Sequence, residues 1–319
     1  MESNLTTGGR SSLSSLPRCC LLLLAAATAH SQFRELAVTD DGGQLYFVSG
    51  LSLKSEPQPR GGIYRIVEGR IETFVVNPPL GSLRPQSYWN PHVSGGGEVV
   101  TYARMISCVG GSSCYLAGYP RTYSLVCVQG KCMEEALGGQ AQVSRNGRYV
   151  VHVGGWQVTG FPPTAFRHLR DLDTGESTEI PFRPSHLRQA LTSDGHVLGI
   201  GGTGLMLWSR QQLRTLPVAE VPENALINDQ ATWVLYETRP PAERRLRSFD
   251  LSSGRDILLA RGAEASFQPS ISNDGQLVLY VAPPAPGQPP QVFLLRPDGA
   301  DRRQLTATGY ALDSCSHYM

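Results

Sequence analysis

The 319-residue chain has little charge and no long helical pattern. Only 17 % of its residues are Asp, Glu, Lys or Arg, and its formal net charge is +1. A nearly neutral chain has no electrostatic footprint for nucleic acid or for an anionic membrane surface. No long window places apolar residues at the i, i+3, i+4, i+7 spacing of an amphipathic helix. These absences argue against a nucleic-acid-binding protein and against a helical fold.

The common catalytic motifs are absent as well. The sequence has no G-x-S-x-G nucleophile elbow, no H-E-x-x-H zinc motif and no G-x-x-x-x-G-K-[ST] phosphate loop. Its seven His residues are scattered, and no two have metal-ligand spacing along one strand. We therefore predict no catalytic residues, no metal site and no cofactor.

The first thirty residues have the pattern of an export signal. A polar region with two Arg precedes the apolar run Cys19–Ala27, and small residues follow at Ala27–Ala29. The run is far shorter than the roughly 20 apolar residues of a spanning helix. We predict a signal peptide over residues 1–29, a periplasmic or secreted location, and no membrane span after cleavage. An uncleaved anchor is the alternative.

Five cysteines remain beyond the predicted signal, and four of them lie close together in sequence. In an exported protein such a cluster indicates disulfides. We predict the pairs Cys108–Cys114 and Cys127–Cys132, the second because its members flank the Gln129-Gly130 hairpin turn and face each other there. Free thiols and a four-Cys zinc site are the alternatives, although the C-x₅-C and C-x₄-C spacings are long for zinc.

Two interlocked repeats dominate the rest of the chain. The first is an apolar stretch, a turn of Ser, Thr, Asn, Asp and Gly, and a strand of β-branched and aromatic residues. Its turns are placed at Gly42, Gly97, Gly147, Gly195, Gln230 and Gly275, and its copies are Val38–Phe47, Val93–Tyr102, Val143–His152, Leu191–Ile200, Leu226–Tyr236 and Ile271–Tyr280.

The second repeat also reads strand, tight turn, strand. Its copies are Tyr64–Phe74, Leu125–Glu135, Leu169–Ile180, Leu205–Leu216, Ser248–Leu259 and Phe293–Leu305. Two hairpins per unit give a four-stranded meander, which cannot bury both faces alone. Six such sheets packed radially cover one another. The sequence therefore predicts an all-β fold, a six-bladed β-propeller of four-stranded antiparallel blades preceded by the signal peptide.

The last unit resembles a known family. Its segments Gln268–Ala282 and Gln291–Thr306 contain a Ser-x-Asp-Gly turn, a strand, a second Asp-Gly turn and an Arg-x-Leu-Thr finish. This resembles the blade of TolB-like, WD-repeat-like β-propellers. The resemblance implies a propeller over residues 33–306. Residues 307–319 are predicted to form an irregular C-terminal tail or the start of a truncated further blade.

Candidate ligand contacts gather in the segments between blades, which a propeller directs toward one mouth of its central channel. These segments hold non-repeated aromatic, polar and basic residues, the composition of binding hot spots. The predicted contacts are Tyr88, Trp89, Asn90, His92, His186, Arg188 and Gln189. Packing of Tyr88 and Trp89 between blades is the competing interpretation.

Two functions remain open at this point. The first is an exported, noncatalytic binding module for a protein, peptide or glycan, expected to be monomeric. The second is a secreted propeller-scaffold enzyme, a lyase or hydrolase, with acidic residues and His in the channel. The chain could also be a fragment of a larger secreted protein, because a fold alone does not determine function.

Overall fold

The computed structural model describes residues 33–49, 61–76, 86–106, 121–137, 140–154, 166–184, 189–201, 204–209, 212–238, 243–262, 267, 269–285, 288 and 290–306. The chain divides into two units, Met1–Ser31 and Gln32–Met319, and only the second contains described residues. The predicted signal peptide and the predicted tail, residues 307–319, lie outside the described residues. No helix that could cross a membrane occurs in the part of the chain that the structure describes.

The described residues form six antiparallel sheets, each built from four strands that follow one another in sequence. Blade 1 contains β1 (Phe33–Val38), β2 (Gln44–Ser49), β3 (Gly62–Val67) and β4 (Arg70–Val76); blade 2 contains β5 (Gln86–Val93), β6 (Val99–Ile106), β7 (Arg121–Val128) and β8 (Lys131–Leu137); blade 3 contains β9 (Gln140–Val143), β10 (Tyr149–Gly154), β11 (Phe166–Asp171) and β12 (Ser177–Glu179).

The second half repeats this arrangement. Blade 4 contains β13 (Arg183–Pro184), β14 (Val197–Gly201), β15 (Gly204–Ser209) and β16 (Gln212–Leu216); blade 5 contains β17 (Pro222–Ile227), β18 (Trp233–Thr238), β19 (Arg244–Asp250) and β20 (Asp256–Gly262); blade 6 contains β21 (Ser270–Ile271), β22 (Val278–Ala282), β23 (Gln291–Leu295) and β24 (Arg303–Gln304). The predicted six-bladed propeller of four-stranded antiparallel blades is confirmed.

Glycine in the left-handed region produces the first turn of most blades. Gly42, for example, has a φ of 67°, and its N–H donates to the carbonyl of Thr39. In blade 5 the sequence analysis placed the equivalent turn residue at Gln230, which is wrong by one position. The equivalent residue is Ala231, which has positive φ and whose N–H donates to the carbonyl of Asn228, three residues earlier.

The hydrophobic core is divided among the junctions between blades. Five buried clusters join blades 1 and 2, 2 and 3, 3 and 4, 4 and 5, and 5 and 6. The first strands of neighbouring blades lie closest to the central axis, as β1 and β5 do. We call the end where one blade leads into the next the linker end, and the end with the first hairpin turns the turn end.

Candidate ligand-binding site

Strand β5, the innermost strand of blade 2, carries four of the predicted contact residues and a bulge. Trp89 pairs with Ala103 and His92 pairs with Thr101, so Asn90 and Pro91 together oppose a single residue of β6. Asn90 has a φ of 55°, and among the described residues it is the one non-glycine residue inside a strand with positive φ. Proline cannot donate to the ladder, and Asn tolerates the left-handed region better than most residues. Both facts favour a bulge at this point.

The bulge sets which side chains meet across the sheet near its linker end. Tyr88 pairs with Arg104 of β6, and Arg104 pairs with Tyr123 of β7. Side chains directly opposite each other lie on one face of a sheet. The guanidinium carbon of Arg104 lies 5.1 Å from the centre of the Tyr123 ring, a cation–π arrangement. We call Tyr88, Arg104 and Tyr123 the tyrosine–arginine row.

Two further aromatic side chains, Tyr102 and Phe74, pack next to the row in the core between blades 1 and 2. The Tyr88 and Tyr102 rings meet edge to face with centres 5.9 Å apart, and Tyr102 meets Phe74 of blade 1 at the same distance. Tyr102 is buried, whereas Tyr88, Arg104 and Tyr123 are each only half-buried. Tyr88 and Tyr123 pack against the core between blades 1 and 2, so the row is the half-buried part of that junction, and Tyr88 takes part in the packing between blades.

Burial affects the hydroxyl groups of Tyr88 and Tyr102. The Tyr88 hydroxyl donates to Oε1 of Gln86 at 2.9 Å. Burial raises the pKa of Tyr88, and the nearby Arg104 opposes part of that rise. Burial also raises the pKa of Tyr102 to about 12. The region therefore offers aromatic faces, hydroxyl groups and one guanidinium group.

The other predicted contacts are placed differently. Trp89 and Asn90 are half-buried, but His92 is only 8 % exposed. Gln189 makes hydrogen bonds to two other blades. Its side-chain Nε2 donates to the main-chain carbonyl of Ile271 in blade 6 at 3.3 Å, and its main-chain carbonyl accepts from the Ile227 N–H in blade 5 at 2.8 Å. Gln189 thus ties three blades together. His186 and Arg188 lie outside the described residues.

At the turn end of the channel, hydrogen bonds connect the first turns of successive blades. The Asp40 N–H donates to Gly95, and the Gly95 N–H donates to Arg145. Arg145 also pairs with Asp40, two blades away, above Gly95. The series continues through Asn146 to Ser193, Ser193 to Asp229, and Asn228 to Asn273. The turn end is therefore occupied by structural contacts, and the linker end is the better place for a ligand.

An ion-pair network between blades 4 and 5 was not anticipated from sequence. The basic run from Glu243 to Arg247 lies mostly on β19, where Arg247 pairs with Asp256 at 2.8 Å and with Glu220 at 3.0 Å. Arg245 pairs with the same Glu220 at 2.8 Å, and the Tyr236 hydroxyl donates to Asp256. Each cation has acidic partners within the fold, so this basic run is structural. Period-2 spacing of Arg245 and Arg247 on a strand was the available signal.

The cysteine prediction is confirmed for one pair. Cys127 and Cys132 form a disulfide across β7 and β8, and they are direct partners in the hairpin register. Cys108 and Cys114 lie outside the described residues. Among the residues that the structure describes, no group of three or more His, Cys, Asp or Glu side chains could hold a metal ion.

Comparison with known proteins identifies the fold. No protein-family model and no curated protein matches the sequence. A manganese complex of oligogalacturonate lyase is similar with 14 % identity and a TM-score of 0.56, over 86 % of this chain and 78 % of that one. The propeller domain of the Trilobed protease from Pyrococcus furiosus, described as having an open velcro topology, is similar with 11 % identity and a TM-score of 0.55, over 87 % and 85 %.

TolB from Acinetobacter baumannii aligns with 14 % identity and a TM-score of 0.44, over 87 % of this chain. The chain spans only 55 % of the length of that protein. Such low identities establish the fold alone. The chain is a six-bladed β-propeller.

Proposed function

We propose that the chain is an exported, noncatalytic β-propeller that binds a protein, peptide or glycan at the linker end of its channel. The observation that carries the proposal is the tyrosine–arginine row beside the bulged strand β5. Half-exposed Tyr and Arg side chains on a rigid sheet provide contact area with little loss of conformational entropy. Trp89 and Asn90 follow Tyr88 on β5 and are half-buried, with Trp89 on the opposite face of the sheet, opposite Ala103.

Immobilised full-length protein, screened against a glycan array and a random peptide library, tests the proposal. We expect Tyr88→Leu and Tyr123→Leu each to weaken a recovered ligand by about tenfold or more, the usual cost of losing a hot-spot side chain. Tyr149→Leu is the matched control. Tyr149 also lies beneath an arginine, with the Arg148 guanidinium carbon 5.0 Å from its ring centre, but it belongs to the turn end.

Equal loss of binding in Tyr149→Leu and in the row variants would contradict the assignment of this surface. Conversion of a ligand during the screen would favour the enzyme alternative, a lyase or hydrolase working in the channel. Sedimentation analysis of the free protein checks the expected monomer.

Export is the second part of the proposal. It rests on the apolar run Cys19–Ala27 and the small residues after it. N-terminal sequencing of protein recovered from the periplasm or the medium should begin near His30. Recovery of the protein only from the cytosol, with Met1 intact, would count against export.

A further inference from the structure

The first turn of blade 3 contains the one Asn-Gly dipeptide in the sequence, Asn146-Gly147. In such a pair the main-chain nitrogen of the glycine can attack the side-chain amide carbon of the asparagine, because glycine has no Cβ to hinder the approach. The bond from Cγ to Nδ2 breaks, ammonia leaves, and a five-membered succinimide ring forms. Water then opens the ring at either carbonyl and gives aspartate or isoaspartate. The net reaction is hydrolysis of the amide, and it needs no other reactant.

The folded turn engages both of the groups that would react. The Gly147 N–H donates to the carbonyl of Ser144 at 2.9 Å. The Asn146 Nδ2 donates to the carbonyl of Ser193 in blade 4 at 2.9 Å, and its Oδ1 accepts from the Ser144 hydroxyl at 2.7 Å and from the Arg148 N–H at 3.1 Å. The glycine nitrogen and the amide carbon must turn toward each other to react. Ring closure therefore requires these hydrogen bonds to break first.

The turn is also held by the blades on both sides of it. Gly147 has a φ of 75°, and a Cβ added there would lie 3.1 Å from Cγ2 of Val99, so the turn packs closely on blade 2. On the other side, the Ser193 hydroxyl accepts from the Asn146 N–H at 3.2 Å. Asp229 of blade 5 fixes Ser193, accepting from its N–H at 2.7 Å and from its hydroxyl at 2.9 Å. The turn cannot rearrange without disturbing these contacts.

Other blades show what an aspartate does at this turn position. Asp41 of blade 1 and Asp274 of blade 6 also directly precede the glycine with positive φ. The Oδ1 of each accepts from a hydroxyl two residues earlier in the chain, at 2.7 and 2.6 Å, as that of Asn146 does. An aspartate therefore fits the turn itself. It cannot replace the bond from Asn146 to Ser193, because a carboxylate has no N–H and would place an oxygen against the Ser193 carbonyl.

We propose that Asn146 is a deamidation site that the folded turn protects, and that its conversion after the turn opens prevents the bond to Ser193 from re-forming between blades 3 and 4. The aspartate product lacks the donor, and the isoaspartate product also adds a methylene to the main chain of the turn. Loss of ammonia makes the change irreversible, so the modified fraction increases each time the turn end opens. This inference does not depend on the proposed ligand-binding function.

Peptide mapping by mass spectrometry tests the protection. The full chain is incubated at mildly alkaline pH, folded or unfolded in urea, beside a synthetic peptide of residues 143–150. We expect the unfolded chain to deamidate at Asn146 as fast as the peptide, and the folded chain more slowly by about tenfold or more. Ser144→Ala removes a hydroxyl that donates to Oδ1 and should raise the rate in the folded chain by about threefold or more. Ser272→Ala removes the equivalent hydroxyl in blade 6 and should leave the rate unchanged.

A folded chain that deamidates as fast as the peptide would overturn the protection, as would equal rates in the two serine variants. An unfolded chain that stays unmodified at Asn146 would overturn the site. Asn146→Asp tests the consequence directly and should unfold at a lower urea concentration than the parent protein. Asn273→Asp is the control for the added charge, since only its main-chain carbonyl accepts the contact from Asn228, and it should unfold close to the parent. Equal stability of Asn146→Asp and the parent would overturn the second part of the proposal.

Discussion

At the scale of single residues, two glycines show how local packing fixes this fold. A Cβ added at Gly95 would overlap the carboxylate of Asp40, which is the end of a side chain and can turn away. A Cβ added at Gly62 would overlap the carbonyl oxygen of Val75 and lie 2.9 Å from the Cα of Val76, which are backbone atoms in the paired strand. The same substitution is therefore made at both sites, but only at Gly95 can the neighbouring atoms move away.

We therefore predict that Gly62→Ala destabilises the protein by about 3 kcal/mol and Gly95→Ala by only about 1 kcal/mol, since the latter loses little beyond an exposed ion pair. Urea unfolding measures both. Adding Asp40→Ala to Gly95→Ala should cost little more, because the ion pair is already lost, while adding it to Gly62→Ala should add its full separate cost. Equal costs for the two glycine variants would contradict this account.

The two arginines of β19 lead to a second residue-scale prediction. The side chains of Arg247 and Asp256 are 13 % and 11 % exposed, whereas those of Arg245 and Glu220 are more open. Removing one member of a buried pair leaves an uncompensated charge, which typically costs about 3 kcal/mol or more, while a more exposed pair is worth less than about 1 kcal/mol.

Arg247→Met should accordingly lower the free energy of unfolding several times more than Arg245→Met. The Met side chain keeps most of the packing volume in both variants, so the difference isolates the charge. If the two variants unfold at the same urea concentration, the network is not held as the structure has it.

At the scale of elements, the junction between β10 and β11 responds to acid. His152 of β10 is buried opposite His168 of β11, with ring centres 5.8 Å apart. Burial, assisted by the nearby His168 and Arg170, lowers the pKa of His152 to about 4. In the unfolded chain the pKa of His is about 6.5.

The unfolded state therefore takes up the proton first as the pH falls. The stability contribution of neutral His152 is complete above about pH 6.5 and is lost as the pH falls toward 4, by about 3 kcal/mol in total. Urea unfolding at pH 7.5 and 4.5 should show a smaller difference in His152→Gln than in the parent protein. An identical pH dependence in the two would contradict the burial of a neutral imidazole.

The hairpin of β7 and β8 is the second element with a measurable constraint. The Cys127–Cys132 disulfide closes a short loop, and in the loop-entropy model it stabilises the fold by about 2 kcal/mol. Replacing both cysteines by serine should lower the free energy of unfolding by that amount. Cys132 is exposed, so mild reduction should also break this bond in the parent protein, and reduction should change the stability of the double serine variant less than that of the parent. A variant as stable as the parent would show that the hairpin is already ordered in the unfolded chain.

At the scale of the whole molecule, successive blades are held together by packing between their sheets. Every sheet consists of four consecutive strands, so no described sheet combines strands from the two ends of the chain. The turn end adds a second connection through hydrogen bonds between turns, and the linker end carries the tyrosine–arginine row. The hydrogen bonds between turns therefore lie at one end of the channel, and the proposed ligand surface lies at the other.

The sequence by itself determined the features that depend on neighbours in the chain. Six double hairpins follow from turn chemistry and period-2 patterning, because a tight turn fixes which residues face each other beyond it. For this reason the position of the Gln129-Gly130 turn was enough to predict that Cys127 and Cys132 face each other.

Only the tertiary structure decided which side chains form the candidate site. Counting outward from the Gly97 turn without a bulge would place Trp89 opposite Arg104 and would turn Tyr88 to the other face of the sheet. The extra residue at Asn90 and Pro91 shifts the register and brings Tyr88, Arg104 and Tyr123 together. The contact from Gln189 to Ile271 and the pairing of Arg145 with Asp40 likewise join residues far apart in sequence. Such contacts depend on how whole sheets pack around the axis, and local sequence patterns do not encode that packing.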